Sequence, residues 1–430
     1  MSGIAEVLLN LGCRVSGSDI EPTELTRRLA KAGARVFSGH DASRVRGASA
    51  VVVSSAVSDS NPEVRAARRA KIPILRRAQA LAELVRLKKT VTVSGSHGKT
   101  TTTAMTAMAL QAAGADPTMI IGGQLKNIGS NARLGLGKYL VAEADESDGS
   151  FLCLKPLVAV VTNIDNDHLD YYKTMPRIED AFLRHLRSVL PGGACVVCAD
   201  DPAAARLIKR MRGSPALAQG PRIIPYGLRS RALWGACRIR LTTDGSRFDL
   251  MRRGEKVASA RLRVPGRHNV LNALGAVAAG EYLGFPLRKL LSGLAEFRGV
   301  GRRLEALGQA GGVTFLDDYG HHPTEIRATL EAVRELYCAA TPNRRVGTHL
   351  ATRRGARRRL IVIFQPHRYT RTKLLHREFG PAFRAADRAF SRGSVTEPYG
   401  EGMPLPRSVG ERPASEVRWE AADRVFLMDI

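Results

Sequence analysis

The sequence predicts an α/β protein built from three successive units. Three observations carry that reading. The 430 residues suffice for two or three domains of ordinary size, with 44% hydrophobic residues to fill their cores. Short apolar or β-branched runs alternate with helical segments from residue 2 onward, the pattern of parallel sheets covered by helices. The stretch Thr90 to Ala104, Thr-Val-Thr-Val-Ser-Gly-Ser-His-Gly-Lys-Thr-Thr-Thr-Thr-Ala, reads as a buried strand, a glycine turn and a helix start. The expected boundaries are 1–88, 89–298 and 299–430.

In the first unit, residues 2 to 12 form a helix with a small apolar face (Ile4, Ala5, Leu8, Leu9), and Arg14 to Asp19 form a strand ending in an acid. A helix (Thr23 to Gly33), a strand (Arg35 to Phe37), a turn at Gly39-His40-Asp41 and a buried strand (Ala50 to Val53) follow. This is a doubly wound unit without its first strand and glycine loop, because the chain begins on the helix expected after them.

In the second unit, Val91, Thr92 and Val93 make the strand, and Gly95 and Gly98 break it. The glycines turn the backbone tightly with N–H groups inward. The helix from Lys99 adds unpaired N–H groups and a positive dipole end, which suits a polyphosphate. Gly95, Ser96, His97, Gly98, Lys99, Thr100 and Thr101 are therefore candidate phosphate ligands, with Lys99 reaching the β/γ oxygens and the Thr100 hydroxyl holding Mg2+. A strict P-loop has glycine where this chain has Val93, so the loop is a shortened relative.

Strand Tyr139 to Glu143 ends in Ala-Asp-Glu-Ser-Asp, and strand Leu157 to Thr162 delivers Asn163-Ile-Asp-Asn-Asp-His168 to the same edge. Carboxylates gathered where parallel strands stop, beside a phosphate loop, predict a nucleotide–metal site. Residues 178 to 298 are expected to continue as α/β. Within them Gly266-Arg-His-Asn-Val-Leu-Asn272 opens an alanine-rich helix whose Asn269 either faces a base or caps the helix.

Gly299, Gly301 and Arg302-Arg303 mark a hinge into the third unit, which opens with strand Val313 to Leu316 and Asp317-Asp-Tyr-Gly-His-His-Pro-Thr324. A helix follows from Pro323, with Thr324 and Glu325 in its first turn. Strand Leu360 to Phe364 then presents Gln365-Pro-His-Arg-Tyr-Thr-Arg371. Beyond Asp387 lies a Pro/Gly/Arg-rich tail closed by a strand, Val425 to Ile430, whose successors are missing; an incomplete sheet with an exposed apolar edge is the expectation.

The net charge of +26 and pI near 10.6 invite a nucleic-acid reading, but arginine is scattered over helix faces rather than gathered into one stripe with aromatics. Only Arg344 to Arg359 is dense. Most of this charge reads as solvated surface, with no specific nucleic-acid partner. No apolar run approaches a membrane span and no secretion signal opens the chain, so the cytoplasm, no membrane insertion, and a monomer or weak dimer are expected. The six cysteines read as buried thiols, with Cys195-Val-Val-Cys198 inside a strand rather than on zinc.

Four motifs now stand in order: Gly-Ser-His-Gly-Lys-Thr-Thr-Thr, Glu-Ala-Asp-Glu-Ser-Asp, Asp-Asp-Tyr-Gly-His-His-Pro-Thr-Glu and Gln-Pro-His-Arg-Tyr-Thr-Arg. Together, from about residue 2 to residue 387, they closely resemble the Mur ligases of peptidoglycan synthesis, in particular the branch that joins L-alanine to UDP-N-acetylmuramate. The resemblance implies a Rossmann-like N-terminal domain for the UDP moiety, a central P-loop-type ATPase domain, and an incomplete Rossmann-like C-terminal domain for the amino acid. It implies ATP and Mg2+ as cofactors, and amide formation through an acyl phosphate.

Carried over residue by residue, Lys99 stabilises the transferring phosphoryl group, and Thr100, Glu143 and His168 hold metal. Asn269 contacts adenine, with Arg302 also on the nucleotide, while His322 and Asp317 or Asp318 sit where the third domain closes. Arg368 and Arg371 clamp the alanine carboxylate, and Ser18, Asp19 and His40 are candidates for UDP. The departures are the absent first loop, an Arg-rich insert near 339–359 and the atypical tail 388–430, which together suggest a truncated or degenerate copy. The alternatives are an inactive nucleotide-binding protein, a sibling ligase adding a preformed peptide, and a nucleic-acid-binding ATPase.

Overall fold

The strands of the first unit are short, three or four residues each, and its architecture follows from that. In the computed structural model, which describes residues 1–21, 23–54, 56–213, 220–229, 231–338, 359–391 and 423–428, it runs α1 (Ser2–Asn10), β1 (Ser16–Asp19), α2 (Glu24–Lys31), β2 (Arg35–Ser38), β3 (Val51–Val53), α3 (Pro62–Arg69), β4 (Ile74–Arg76) and α4 (Arg77–Arg86). A reciprocal Thr23–Thr26 capping box starts α2, and the Asn61 side chain with Pro62 starts α3. Instead of one doubly wound sheet, the strands form two separate parallel pairs, β1–β2 and β3–β4. Ser-Gly-Ser-Asp in β1 has no apolar side chain to draw it into a larger sheet. Helix α1 packs outward: its buried Ile4 and Val7 join the same cluster as Ala132 and Leu140 of the second unit.

The second unit comprises β5 (Lys89–Ser94), α5 (Lys99–Ala112), β6 (Thr118–Leu125), β7 (Ser130–Arg133), β8 (Tyr139–Glu143), β9 (Val158–Val161), α6 (Leu169–Tyr172), α7 (Met175–Arg187), β10 (Ala194–Cys198), α8 (Pro202–Arg212), β11 (Arg222–Tyr226), β12 (Trp234–Thr242), β13 (Gly245–Arg252), β14 (Glu255–Leu262), α9 (Arg267–Tyr282) and α10 (Leu287–Glu296). Its strands form one ten-stranded sheet in the order β14-β13-β12-β11-β10-β9-β5-β8-β6-β7. Strands β5, β8 and β9 are covered on both faces, which is why they read as near-continuous apolar or β-branched runs. One face buries Val91, Val93 and Val160 under α5, α9 and α10, and the other packs Ala142, Val161 and Val197 with residues of α4, α7 and α8. Each such valine contributes about 1.5–3 kcal/mol relative to exposure.

The expected α/β continuation over 178–298 is corrected in part, because β12 to β14 form an antiparallel meander. Arg253 and Gly254 both take positive φ (51° and 88°) in one connecting turn, the signature of a two-residue hairpin.

The third unit comprises β15 (Glu305–Ala310), β16 (Val313–Asp318), α11 (Pro323–Val333), β17 (Arg359–Phe364), α12 (Tyr369–Leu374), α13 (His376–Ala382), β18 (Arg388–Ser391) and β19 (Asp423–Met428). The sheet order is β15-β16-β19-β17-β18. Two expectations change. An unforeseen strand, β15, pairs antiparallel with β16 across Gly311-Gly312. The last strand, expected at an exposed edge, lies in the middle of the sheet, parallel to both β16 and β17. Most of the insert near 339–359, the run from Arg344 and residues 392–422 lie outside the described residues. Cys195, Cys198 and Cys338 are buried as expected, with Cys195-Val-Val-Cys198 inside β10, whereas Cys13, Cys153 and Cys237 are exposed.

Candidate active site

Sheet register brings the predicted groups together. Val93 of β5 is level with Glu143 at the end of β8, and Ser94 is level with Val161 of β9, so the loop after β5 is flanked by both acidic segments. Gly95 and Gly98 take φ of +131° and +79°, and a Cβ at Gly95 would stand 2.1 Å from Thr162 Oγ1. Asn163 ties the loop down, accepting from Ser96 N (3.1 Å) through its carbonyl and from His97 N (2.8 Å) through its side chain. No side chain caps α5, so the N–H groups of its first turn are left for an anion.

Lys99 is folded back into this loop. Its Nζ donates to Gly95 O (2.6 Å), Ser96 O (3.3 Å) and Glu146 Oε1 (2.8 Å). Burial works against its charge, yet Glu146, Glu143 and Asp145 outweigh burial and raise its pKa. Burial pushes Glu146 up to about 7 despite Lys99. Glu143 Oε2 accepts from Gly122 N at 2.9 Å. Burial lowers His168 to about 4, leaving a neutral imidazole. Thr100 hydroxyl, Glu143 carboxylate and neutral His168 are donors suited to a divalent cation beside polyphosphate.

A cavity of about 1010 Å3 lies beside this group, lined among others by His97, Gly98, Thr101, Asn163, Asn269, Asn272, Arg303, Asp318 and Thr324. Asn269 is on its wall and donates to Pro265 O (2.6 Å), but no side chain caps α9, so the capping role weighed for it is not taken. Arg303 lines the cavity where Arg302 was expected. Arg302 lies 3.7 Å from Asp317, and both arginines stand over the Tyr319 ring, at 5.2 and 5.3 Å. Asp318, raised to about 6 by burial, accepts from Leu304 N and Gly320 N and so shapes the turn below the cavity.

The segment Asn163–His168 is also where the third unit docks. Thr324 Oγ1 donates to Asp165 Oδ2 (2.7 Å), and His322, nearly fully buried, lies 3.4 Å from Asn166 O. Arg371 donates from Nε and Nη2 to the two oxygens of Asp167, each at 3.0 Å. Arg371, carried over as a clamp for the alanine carboxylate, thus has two of its donors engaged by a carboxylate of the second unit. Arg368 Nη1 sits 3.4 Å from His168 Nδ1.

In the first unit, Ser18 Oγ bridges His40 Nδ1 (2.9 Å) and Glu63 Oε2 (2.6 Å), so two of the three UDP candidates meet; the exposed Asp19 side chain accepts from Ile20 N. Glu63, Glu146, Asp165 and Asp167 are the members that sequence reasoning did not single out. For Glu146 the signal was its place in the acidic segment after β8.

Three family models cover the chain: the Mur ligase family catalytic domain over residues 1–89, the Mur ligase middle domain over 93–280 and the Mur ligase glutamate ligase domain over 302–424. The UDP-N-acetylmuramate–L-alanine ligase of Endomicrobium trichonymphae is 44% identical over 417 residues, covering 97% of this chain and 84% of that relative. The chain belongs to the Mur ligase family. The corresponding enzyme of Acidithiobacillus ferrooxidans is 45% identical over all of the chain and 88% of its own length. Among solved structures, the UDP-N-acetylmuramate–alanine ligase of Thermotoga maritima superposes with a TM-score of 0.76 at 27% identity, covering 100% of this chain and 92% of that one. The peptide-adding ligase from Neisseria meningitides gives 0.62 at 26%, covering 70% and 96%. Likeness to this Mur ligase family thus extends past Asp387, where the motifs had been expected to lapse. Membership of this family implies dependence on ATP and Mg2+. No helix among the described residues is long and apolar enough to cross a membrane.

Proposed function

We propose that this Mur ligase joins L-alanine to the lactyl carboxylate of UDP-N-acetylmuramate with cleavage of ATP to ADP and phosphate, in the cytoplasm, as a step of peptidoglycan synthesis. The observation that carries the reading is the convergence on Lys99 of an uncapped phosphate loop and three carboxylates, in a chain alike over its whole length to alanine-adding ligases.

A carboxylate does not react with an amine until one oxygen becomes a good leaving group. The lactyl carboxylate oxygen attacks the γ-phosphorus, the bond to the β–γ bridging oxygen breaks, and ADP leaves. The alanine amine then adds to the acyl phosphate carbon, loses a proton and expels phosphate. Lys99, once drawn from Glu146, places its charge against the transferring phosphoryl oxygens. Thr100, Glu143 and His168 would hold Mg2+, which when bound neutralises phosphate charge.

Asn269, on the cavity wall, takes the adenine, and the loop from Gly95 to Thr101 takes the phosphates. His322 sits at the seam through which the third unit closes over the nucleotide. Arg368 and Arg371 receive the alanine carboxylate, which exchanges with Asp167 for the Arg371 donors. Ser18, Asp19 and His40 meet the UDP moiety. The test is phosphate release from ATP with UDP-N-acetylmuramate and Mg2+, with and without L-alanine. Alanine-dependent release absent from Lys99→Ala supports the reading. Release driven by a preformed peptide but not by alanine moves the chain to the sibling activity, and ATP binding without release marks an inactive copy.

A further inference from the structure

One side-chain cluster at the seam between the second and third units joins a phosphate-loop residue to the third unit and is given no metal in the chemistry above. His97 from the phosphate loop, Asp165 from the segment after β9 and His322 at the start of α11 bring one ligand atom each within 4.8 Å of one another. His97 Nε2 is 2.9 Å, and His322 Nδ1 3.6 Å, from the same oxygen, Asp165 Oδ2. Ligands of a tetrahedral zinc ion, at about 2.0–2.2 Å from the metal, stand about 3.3–3.5 Å apart, so small side-chain adjustments suffice.

The far sides of both rings are held as metal-bound imidazoles are held. His97 Nδ1 faces Glu325 Oε1 at 3.2 Å. Thr324 N donates to His322 Nδ1 (3.3 Å), which puts the lone pair of the neutral ring on that nitrogen; a metal there would take the place of this long cap bond, while Nε2 keeps its proton toward Asn166 O (3.4 Å). The carboxylate is oriented as well, Oδ1 accepting from Asn166 N at 2.7 Å. A carboxylate or carbonyl behind each ligating imidazole is the outer shell that fixes its tautomer and strengthens it as a donor.

We propose that His97, Asp165 and His322 form a site for a borderline transition-metal dication of the Zn2+ class, distinct from the Thr100, Glu143 and His168 set, and that its occupation ties the phosphate loop to the third unit. Two imidazoles and one carboxylate select such an ion over Mg2+, and a fourth position remains for water.

The test uses the metal-free full chain titrated with Co2+ alone, read by the visible absorption of tetrahedral Co2+, then with Zn2+ as competitor. Expected are one Co2+ per chain, displacement by Zn2+, a band retained in Glu143→Gln and lost in both His322→Ala and Asp165→Asn, and affinity lowered about 10- to 100-fold in Glu325→Gln. If His322→Ala fails to fold, the near-isosteric Asp165→Asn decides. No tetrahedral band, a band that survives Asp165→Asn, a band lost in Glu143→Gln, or sulfur-to-cobalt charge transfer from cysteine ligation would each overturn the proposal.

Discussion

Asp167→Asn is expected to uncouple the third unit from the second. The Asp167 and Arg371 side chains are 6% and 5% exposed and share two 3.0 Å bonds, so solvent screens the pair little. His168 and Arg371 together hold the Asp167 carboxyl well below its ordinary range even though burial opposes the charge. Removing one partner of a buried pair costs about 3–5 kcal/mol, mostly because the other charge is stranded. Asparagine keeps the shape and one acceptor, so the lower end, about 3 kcal/mol, applies; at about 1.4 kcal/mol per decade this is roughly a 100-fold loss.

The loss falls on docking rather than on folding, because the pair joins two units whose cores are separate clusters. Small-angle scattering should show a larger radius of gyration for the variant, and kcat/KM for alanine-dependent phosphate release should fall by a similar factor with thermal unfolding little changed. An unchanged radius and an unchanged kcat/KM would refute the reasoning.

Gly95→Ala places a methyl 2.1 Å from Thr162 Oγ1 and 2.9 Å from Asn163 O at a φ of +131°, so the loop must shift. A strain of about 1–3 kcal/mol should weaken ATP binding by about tenfold or more in calorimetry. Lys99→Met should lower phosphate release by at least about 10²–10³-fold while circular dichroism stays native. Burial opposes charge on His97, but Asp165 and Glu325 outweigh it and raise its pKa from 6.5 to about 9. The docked state of the metal-free protein therefore binds the extra proton. Its stabilisation is fully present below 6.5 and lost as pH rises through about 9, an expansion that scattering across that window should show and His97→Asn should abolish.

The strands that built the site were legible because they are buried on both faces. Val91 to Val93 and Tyr139 to Glu143 read as strands from composition alone, and their ends gave the phosphate loop and Glu143. The hairpins were missed although their turns are in the sequence: Arg253-Gly254 and Gly311-Gly312 are dipeptides with positive φ at both residues. The pairings of Asp165 with Thr324 and of Asp167 with Arg371 span 159 and 204 residues, and no local pattern encodes a contact between units. Nothing near Arg371 in sequence therefore announces its carboxylate partner.

The central place of β19 bears on how the protein is made. Val425 pairs with both Phe315 and Ile361, so a strand emerging late from the ribosome must insert between two strands synthesised long before it. At roughly 5–20 residues per second, the facing edges of β16 and β17 wait seconds without that partner while the first two units complete their folds. Those waiting parallel edges are natural targets for chaperones during translation, and completion of the third unit is set by a long loop closure rather than by local propensity.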